Sequence, residues 1–175
     1  MKLKFKKTMI VITAMITISI AANAQKKGDI AVGGYLAVGT GYDYTNGGIG
    51  AKFLYNVSNR IRLVAEIDSW REIVESNTSV YNINMYAHFL GSRGDRKTVI
   101  YPFVGIGRES KKFYDPVRTM HSVSPILFGG GIDFKLSSKL TLNGELRSHQ
   151  LQFGGPWILC GGSFNLAVGL TYKIN

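Results

Sequence analysis

Apolar side chains take every second position near the end of the chain: Leu166, Val168, Leu170, Tyr172 and Ile174, with small or polar residues between them. A period of two marks a β-strand with one greasy face. The same alternation recurs along the chain in segments about ten residues long, separated by turn-forming residues. After Ala24 no apolar run approaches the ~20 residues that a spanning helix needs. A terminal strand with an uncovered greasy face is rare in a water-soluble domain and normal where the outer face of a sheet meets lipid.

The start of the chain has a different character. Lys2, Lys4, Lys6 and Lys7 precede a short apolar stretch, Met9 to Ile20, and Ala22-Asn23-Ala24 fits the small-x-small cleavage rule. Residues 1–24 therefore read as a secretory signal peptide, which leaves residues 25–175, or 175 − 24 = 151 residues, as one domain. The apolar stretch is too short for an anchor helix, and no cysteine stands at the cleavage site for a lipid anchor. The leader holds four of the 21 basic residues and no acidic one, so the formal charge falls from +10 to +6. That modest excess, with no basic helix or interleaved aromatic motif, argues against nucleic acid as a partner. It suits contact with anionic lipid head groups. The single cysteine, Cys160, excludes an intramolecular disulfide and speaks against a thiolate metal site. His88, His121 and His149 lie on separate segments without ligand spacing, so no metal and no cofactor is expected. The glycines of Gly33 to Gly41 sit inside a strand and precede no helix, so they form no phosphate cradle.

Eight strands are predicted. The first covers Asp29 to Tyr42, with Ile30, Val32, Leu36, Val38 and Tyr42 on one face and Ala31, Gly33, Ala37, Gly39 and Gly41 on the other. The second covers Gly48 to Val57 and the third Arg60 to Arg71, whose Ile61, Leu63, Ala65 and Ile67 oppose Arg62, Val64, Glu66 and Asp68. The fourth covers Ser79 to Leu90. The fifth, Thr98 to Arg108, is apolar or glycine on both faces and contains Pro102, so its inward face stays unassigned. The sixth covers Ser124 to Leu136, the seventh Lys139 to Gln150, and the eighth ends the chain.

The connections alternate in length. Ser58-Asn59 and Ser137-Ser138 are tight turns, and Gly91 to Lys97 is somewhat longer. Larger loops are expected at Asp43 to Gly47, Glu72 to Thr78, Glu109 to Val123 and Leu151 to Gly162. Short turns on one side and long loops on the other give an all-β, eight-stranded antiparallel up-and-down transmembrane barrel, with turns in the periplasm and loops outside. Phe53, Tyr55, Phe89, Phe134 and Tyr172 fall near the turn side, and Tyr42, Tyr44, Trp70, Tyr81, Phe153 and Trp157 near the loop side, as two interfacial belts. The face opposite the apolar one contains Lys52, Arg62, Glu66, Asp68, His88, Asp133, Lys135, Glu145, Arg147 and His149. In a ring of about eight strands the interior is just wide enough for side chains to fill it. These residues are expected to pair there and plug the lumen, because an isolated buried charge costs several kcal/mol.

Three passages resemble a known family. Tyr101 to Glu109 (YPFVGIGRE) is similar to a Pro-aromatic-Val-Gly-x-Gly strand, Phe128 to Arg147 to a hairpin of glycine-rich strand, short turn and charged strand, and Ala167 to Ile174 to a C-terminal assembly signal. All three occur in the small OmpA/OmpX-type outer-membrane β-barrels, the porin-like outer membrane protein beta-barrel domain group. The resemblance covers about Gly28 to Asn175 and implies the outer membrane of a Gram-negative bacterium, reached by Sec-type export. It further implies outer-membrane lipid and lipopolysaccharide as surroundings. The barrel-assembly machinery would be a partner during biogenesis, reading Gly169, Tyr172 and Ile174. The chain departs from the pattern at Ala167, where the family has a polar residue, and at Asn175, where it has an aromatic.

Fold does not decide function. The leading expectation is a non-enzymatic envelope structural or surface-interaction protein. Its longest loop contains Lys111, Lys112, Phe113, Tyr114 and Arg118, basic and aromatic residues suited to lipopolysaccharide phosphates or a partner surface. The alternative is an enzyme acting on lipid A, as deacylase or acyltransferase. Its candidate groups are His121 with Ser122 or Ser124, and Ser148-His149 with Glu145. Neither set matches a His-x-Ser arrangement with a carboxylate. Glu145 and His149 share a face but stand ~13 Å apart along the strand, against the ~3 Å a proton transfer needs. A second alternative, a secreted lipocalin-like carrier, has the same strand count with the faces inverted. The glycines on the presumed inner rows of the second and sixth strands leave such a calyx without bulk.

Overall fold

The computed structural model describes residues 27–40, 45–72, 78–91, 97–114, 117–150 and 163–175. Within these, the side chains of 40, 45, 72, 78, 111–114, 117–125, 149, 150 and 163 lie outside the described set. The expected signal peptide, residues 1–24, and Tyr42, Tyr44, Phe153, Trp157 and Cys160 lie outside the described residues.

Eight strands follow one another: β1 (Ile30–Thr40), β2 (Thr45–Asn56), β3 (Ile61–Glu72), β4 (Thr78–Phe89), β5 (Thr98–Tyr114), β6 (Val117–Lys135), β7 (Leu140–Gln150) and β8 (Ser163–Lys173). Each pairs antiparallel with the next, and β8 pairs with β1, so the sheet is a closed barrel. Closure leaves no edge strand, which is what a sheet surrounded by hydrocarbon requires.

The turn chemistry is readable in the residues. Ser58 Oγ accepts hydrogen bonds from the backbone N–H of Arg60 (3.1 Å) and Ile61 (3.0 Å). Ser137 Oγ accepts those of Lys139 (3.2 Å) and Leu140 (3.0 Å) in the same way. A serine hydroxyl that replaces backbone partners this way holds a tight reversal. The seam between β1 and β8 is closed by Asn175, whose Oδ1 accepts from Ile30 N at 2.8 Å and whose Nδ2 donates to Gly28 O at 3.1 Å. Lys173 and Asp29 pair beside it at 2.7 Å.

Alternation sets the two faces. Ile49, Ile67, Ile83, Met85, Leu166 and Val168 point outward and are exposed, whereas Lys52, Glu66, Asn84 and Arg147 point inward and are buried. The relation is the inverse of a water-soluble domain, where apolar groups go inside, and it overturns the carrier alternative. Phe53, Tyr55, Phe134 and Tyr172 are exposed toward the turn side and Tyr81 toward the loop side.

Three expectations are corrected. Glu109 to Val123 is not a loop: β5 and β6 continue through it as a hairpin paired as far as Tyr114 and Val117. Among the described residues, Val117 to Ser124 of β6 pair with β5 alone, since pairing with β7 starts at Ile126. The polar composition of the segment hid the strands in it. Likewise β2 starts at Thr45, inside the expected Asp43 to Gly47 loop. Trp70 is no belt residue: it is 5 % exposed, because it follows Asp68 by two and shares its inward parity.

The unassigned fifth strand turns Val99, Tyr101 and Phe103 inward and Ile100, Val104 and Ile106 outward. Pro102 sits opposite Gly130 without breaking register. The register shifts between Gly105 and Gly107, where β6 spends one extra residue beside Pro125. A proline lacks the N–H that a regular ladder would use, and a bulge absorbs the defect.

Candidate functional site in the barrel lumen

Of the ten lumen residues read from the sequence, eight are buried on the inner wall: Lys52 of β2, Arg62, Glu66 and Asp68 of β3, His88 of β4, Asp133 of β6, and Glu145 and Arg147 of β7. Lys135 has the inward parity of Asp133 but is exposed, because it is the last residue of β6 and reaches the water at the turn-side mouth. The side chain of His149 lies outside the described set.

Three of the ion pairs run across the lumen rather than between neighbouring strands. Lys52 Nζ reaches Glu145 Oε1 at 2.9 Å, from β2 to β7. Arg147 on β7 donates to Glu66 on β3 with both terminal nitrogens, at 2.7 and 2.9 Å. Its Nε donates to Glu145 Oε2 at 3.0 Å, and Nη2 donates to the same oxygen. Arg62 on β3 pairs with Asp133 on β6 at 2.7 Å. Such bidentate, charge-assisted contacts use the planar fork of arginine fully. The buried set holds three cations (Lys52, Arg62, Arg147) and four carboxylates (Glu66, Asp68, Asp133, Glu145), so leaving His88 aside its formal sum is 3 − 4 = −1.

Asp68 is the carboxylate without a cation. It accepts instead from four neutral donors: Trp70 Nε1 at 2.6 Å, Asn82 Nδ2 at 2.8 Å, Tyr35 Oη at 2.9 Å and Asn84 Nδ2 at 3.2 Å. Those four bonds fill the acceptor capacity of a carboxylate.

Parity places Tyr86 with His88 on the inner row of β4, but sequence reading missed Tyr35 and Tyr101. Tyr35, Tyr86 and Tyr101 donate their hydroxyls to Asp68, Glu66 and Glu145 at 2.9, 3.1 and 2.9 Å. Arg147 lies over the Tyr35 ring at 4.5 Å and Arg62 over Tyr101 at 4.8 Å. His88 stacks on Tyr101 with ring centres 4.6 Å apart, and its Nδ1 lies 3.1 Å from Arg62 Nη2. Because a guanidinium only donates, Nδ1 is the acceptor. Leu54, Val64, Leu90, Val99, Phe103 and Leu127 complete an apolar cluster with these rings.

A signal for these rings existed in the glycines. Each inward aromatic lies against an inward glycine of the adjacent strand: Tyr35 opposite Gly50, Trp70 opposite Gly48, Tyr86 opposite Gly105, Phe103 opposite Gly129 and Tyr101 opposite Gly131. A Cβ on Gly50 or Gly131 would stand 2.3 or 2.5 Å from a tyrosine ring carbon. The missing side chain is the space in which the ring lies.

Among the described residues no group of three or more His, Cys, Asp or Glu side chains could hold a metal. Ser148 Oγ is buried without a partner, and Glu145, the carboxylate nearest to it in sequence, is held by Lys52, Tyr101 and Arg147. The side chains of His121, Ser122, Ser124, Lys111, Lys112, Phe113, Tyr114 and Arg118 lie outside the described set.

No family model and no curated protein sequence matches the chain. Solved structures do. Neisserial surface protein A superposes with a TM-score of 0.63 at 12 % identity, over 83 % of this chain and 96 % of that one. The N-terminal β-barrel domain of Pseudomonas aeruginosa OprF gives 0.60 at 12 % identity, over 86 % and 100 %. A de novo designed transmembrane β-barrel gives 0.52 at 17 % identity, over 87 % and 100 %. The chain thus has the fold of small outer-membrane barrels. That a designed barrel shares it shows how little the fold itself says about activity.

Proposed function

We propose that the protein is an integral outer-membrane β-barrel with a plugged lumen, acting without catalysis as an envelope structural or surface-interaction protein. In this reading residues 1–24 direct Sec-type export and are removed. The serine turns face the periplasm, and the β5–β6 hairpin stands on the outer side. The observation that carries it is the inversion of burial. A wall that exposes Ile67 at 61 %, Ile83 at 63 % and Leu36 at 67 % while burying Arg147 at 2 % is stable only where hydrocarbon surrounds it. Cross-lumen pairs and stacked rings occupy the axis, which supports a closed rather than a conducting barrel.

Lys111, Lys112, Phe113, Tyr114 and Arg118 belong to the two longest strands, so a paired hairpin presents them to lipopolysaccharide phosphates or to a partner surface. Tyr172 and Ile174 are exposed on the outer face of β8 next to the closing seam, where an assembly machine would read them with Gly169. The commitment of Glu145 to three donors supports the non-enzymatic reading, because it is not available to orient a histidine.

The test is expression of the full chain in a Gram-negative host. Recovery in the outer-membrane fraction as a heat-modifiable band, unchanged lipid A acylation by mass spectrometry and the absence of steady bilayer currents are expected. Recovery as a soluble periplasmic protein, a changed acyl-chain number or large steady currents would contradict the reading.

A further inference from the structure

The turn-side mouth of the lumen contains a polar cavity of about 90 Å³. At ~30 Å³ per molecule this is room for about three waters, or for one compact ion in their place. Arg62 lines its floor, with Nη1 on Asp133, Nη2 on His88 and Nε without an acceptor. Hydroxyls from Ser137, Ser138 and Thr141 line its sides, together with that of Thr171, which donates to Thr141 O. Ser137 Oγ already accepts two backbone N–H groups, so its own proton is left to donate. At the rim stand Lys135, Lys139 and Lys173. Lys173 is paired with Asp29, and Lys139 has no carboxylate partner among the described residues, lying 5.8 Å from the Tyr172 ring centre. The lining thus holds four cations (Arg62, Lys135, Lys139, Lys173) against two carboxylates (Asp29, Asp133), a surplus of 4 − 2 = +2.

We propose that this vestibule binds a compact oxyanion, a phosphate or a carboxylate group, that enters from the turn side. The chemistry is that of an anion site: a guanidinium with spare donor capacity at the floor, hydroxyl donors on the wall, and lysines at the entrance. A cation finds only Asp29 and Asp133, both already paired. An apolar ligand finds almost no apolar wall beyond Ala31 and Leu54. The site does not depend on which membrane the barrel occupies, so it stands or falls separately from the functional reading above.

The test uses the mature chain refolded in micelles, with the arginine side-chain N–H resonances followed by NMR. Sodium phosphate and sodium acetate are titrated separately against sodium chloride at constant ionic strength. A saturable displacement of the Arg62 guanidinium N–H signals by either oxyanion is expected, with Arg147, deep in the lumen, unmoved. The exposed pair Lys135→Gln and Lys139→Gln, which leaves the buried network intact, should weaken the apparent affinity about tenfold. A phosphate-only response assigns a tetrahedral ligand, and a response to both assigns any small oxyanion. No saturable displacement, the same displacement by chloride, or an unchanged affinity in the double variant would overturn the proposal.

Discussion

Arg147 ties three strands of the lumen together, because it bonds Glu66 of β3, Glu145 of β7 and the hydroxyl of Tyr35 of β1 at once. Removing one member of a buried charge network leaves its partners without compensation, at a cost of ~3–5 kcal/mol. Arg147→Met is therefore expected to lose about that much stability, read from the urea midpoint of the refolded barrel. Lys52→Met should lose less, because Glu145 keeps Arg147 and Tyr101. Asp68 gives a second case at this scale. Both of its oxygens accept two bonds, so an amide in either orientation turns an N–H₂ toward donors. Asp68→Asn is expected to destabilise by ~1–3 kcal/mol although shape and size are kept.

Strand parity made most of the wall legible, because a period of two assigns every residue of β2, β3, β4, β7 and β8 to one face once a single charged position is placed inside. Parity was weaker where both faces are apolar. In β5, Tyr101 and Phe103 look no different from Ile100 and Val104 until a glycine row on β6 is seen opposite them. That pairing predicts a contrast between two glycines of one hairpin. A Cβ at Gly131 would lie 2.5 Å from the Tyr101 ring, while one at Gly144 meets only Ile132 at 3.6 Å. Gly131→Ala should cost ~1–3 kcal/mol by overpacking, and Gly144→Ala should leave the unfolding midpoint within experimental error. Equal effects would show that the rings do not lie over the glycines. The β5–β6 hairpin escaped sequence reading for the opposite reason. Its upper half shows no period of two, so Asp115-Pro116 reads as part of a loop rather than as the turn of a paired hairpin.

At the scale of the whole molecule, strand number, antiparallel order and the inside–outside assignment were all present in the alternation, the turns and the charged rows. The cross-lumen partners were not, because pairing of Lys52 with Glu145, or Arg62 with Asp133, depends on how a closed ring brings distant strands face to face. Closure also brings rings and ion pairs together inside the barrel, and the plugged lumen proposed above should pass no steady current in a planar bilayer. The central claim is the direction of the two faces, and spin labels test it most directly. With Cys160 replaced by Ser, single labels at Ile67, Ile83 and Val168, all outward, should be relaxed by oxygen dissolved in the bilayer and not by a water-soluble nickel chelate. The opposite pattern, with those three sites wetted and shielded from oxygen, would contradict the account.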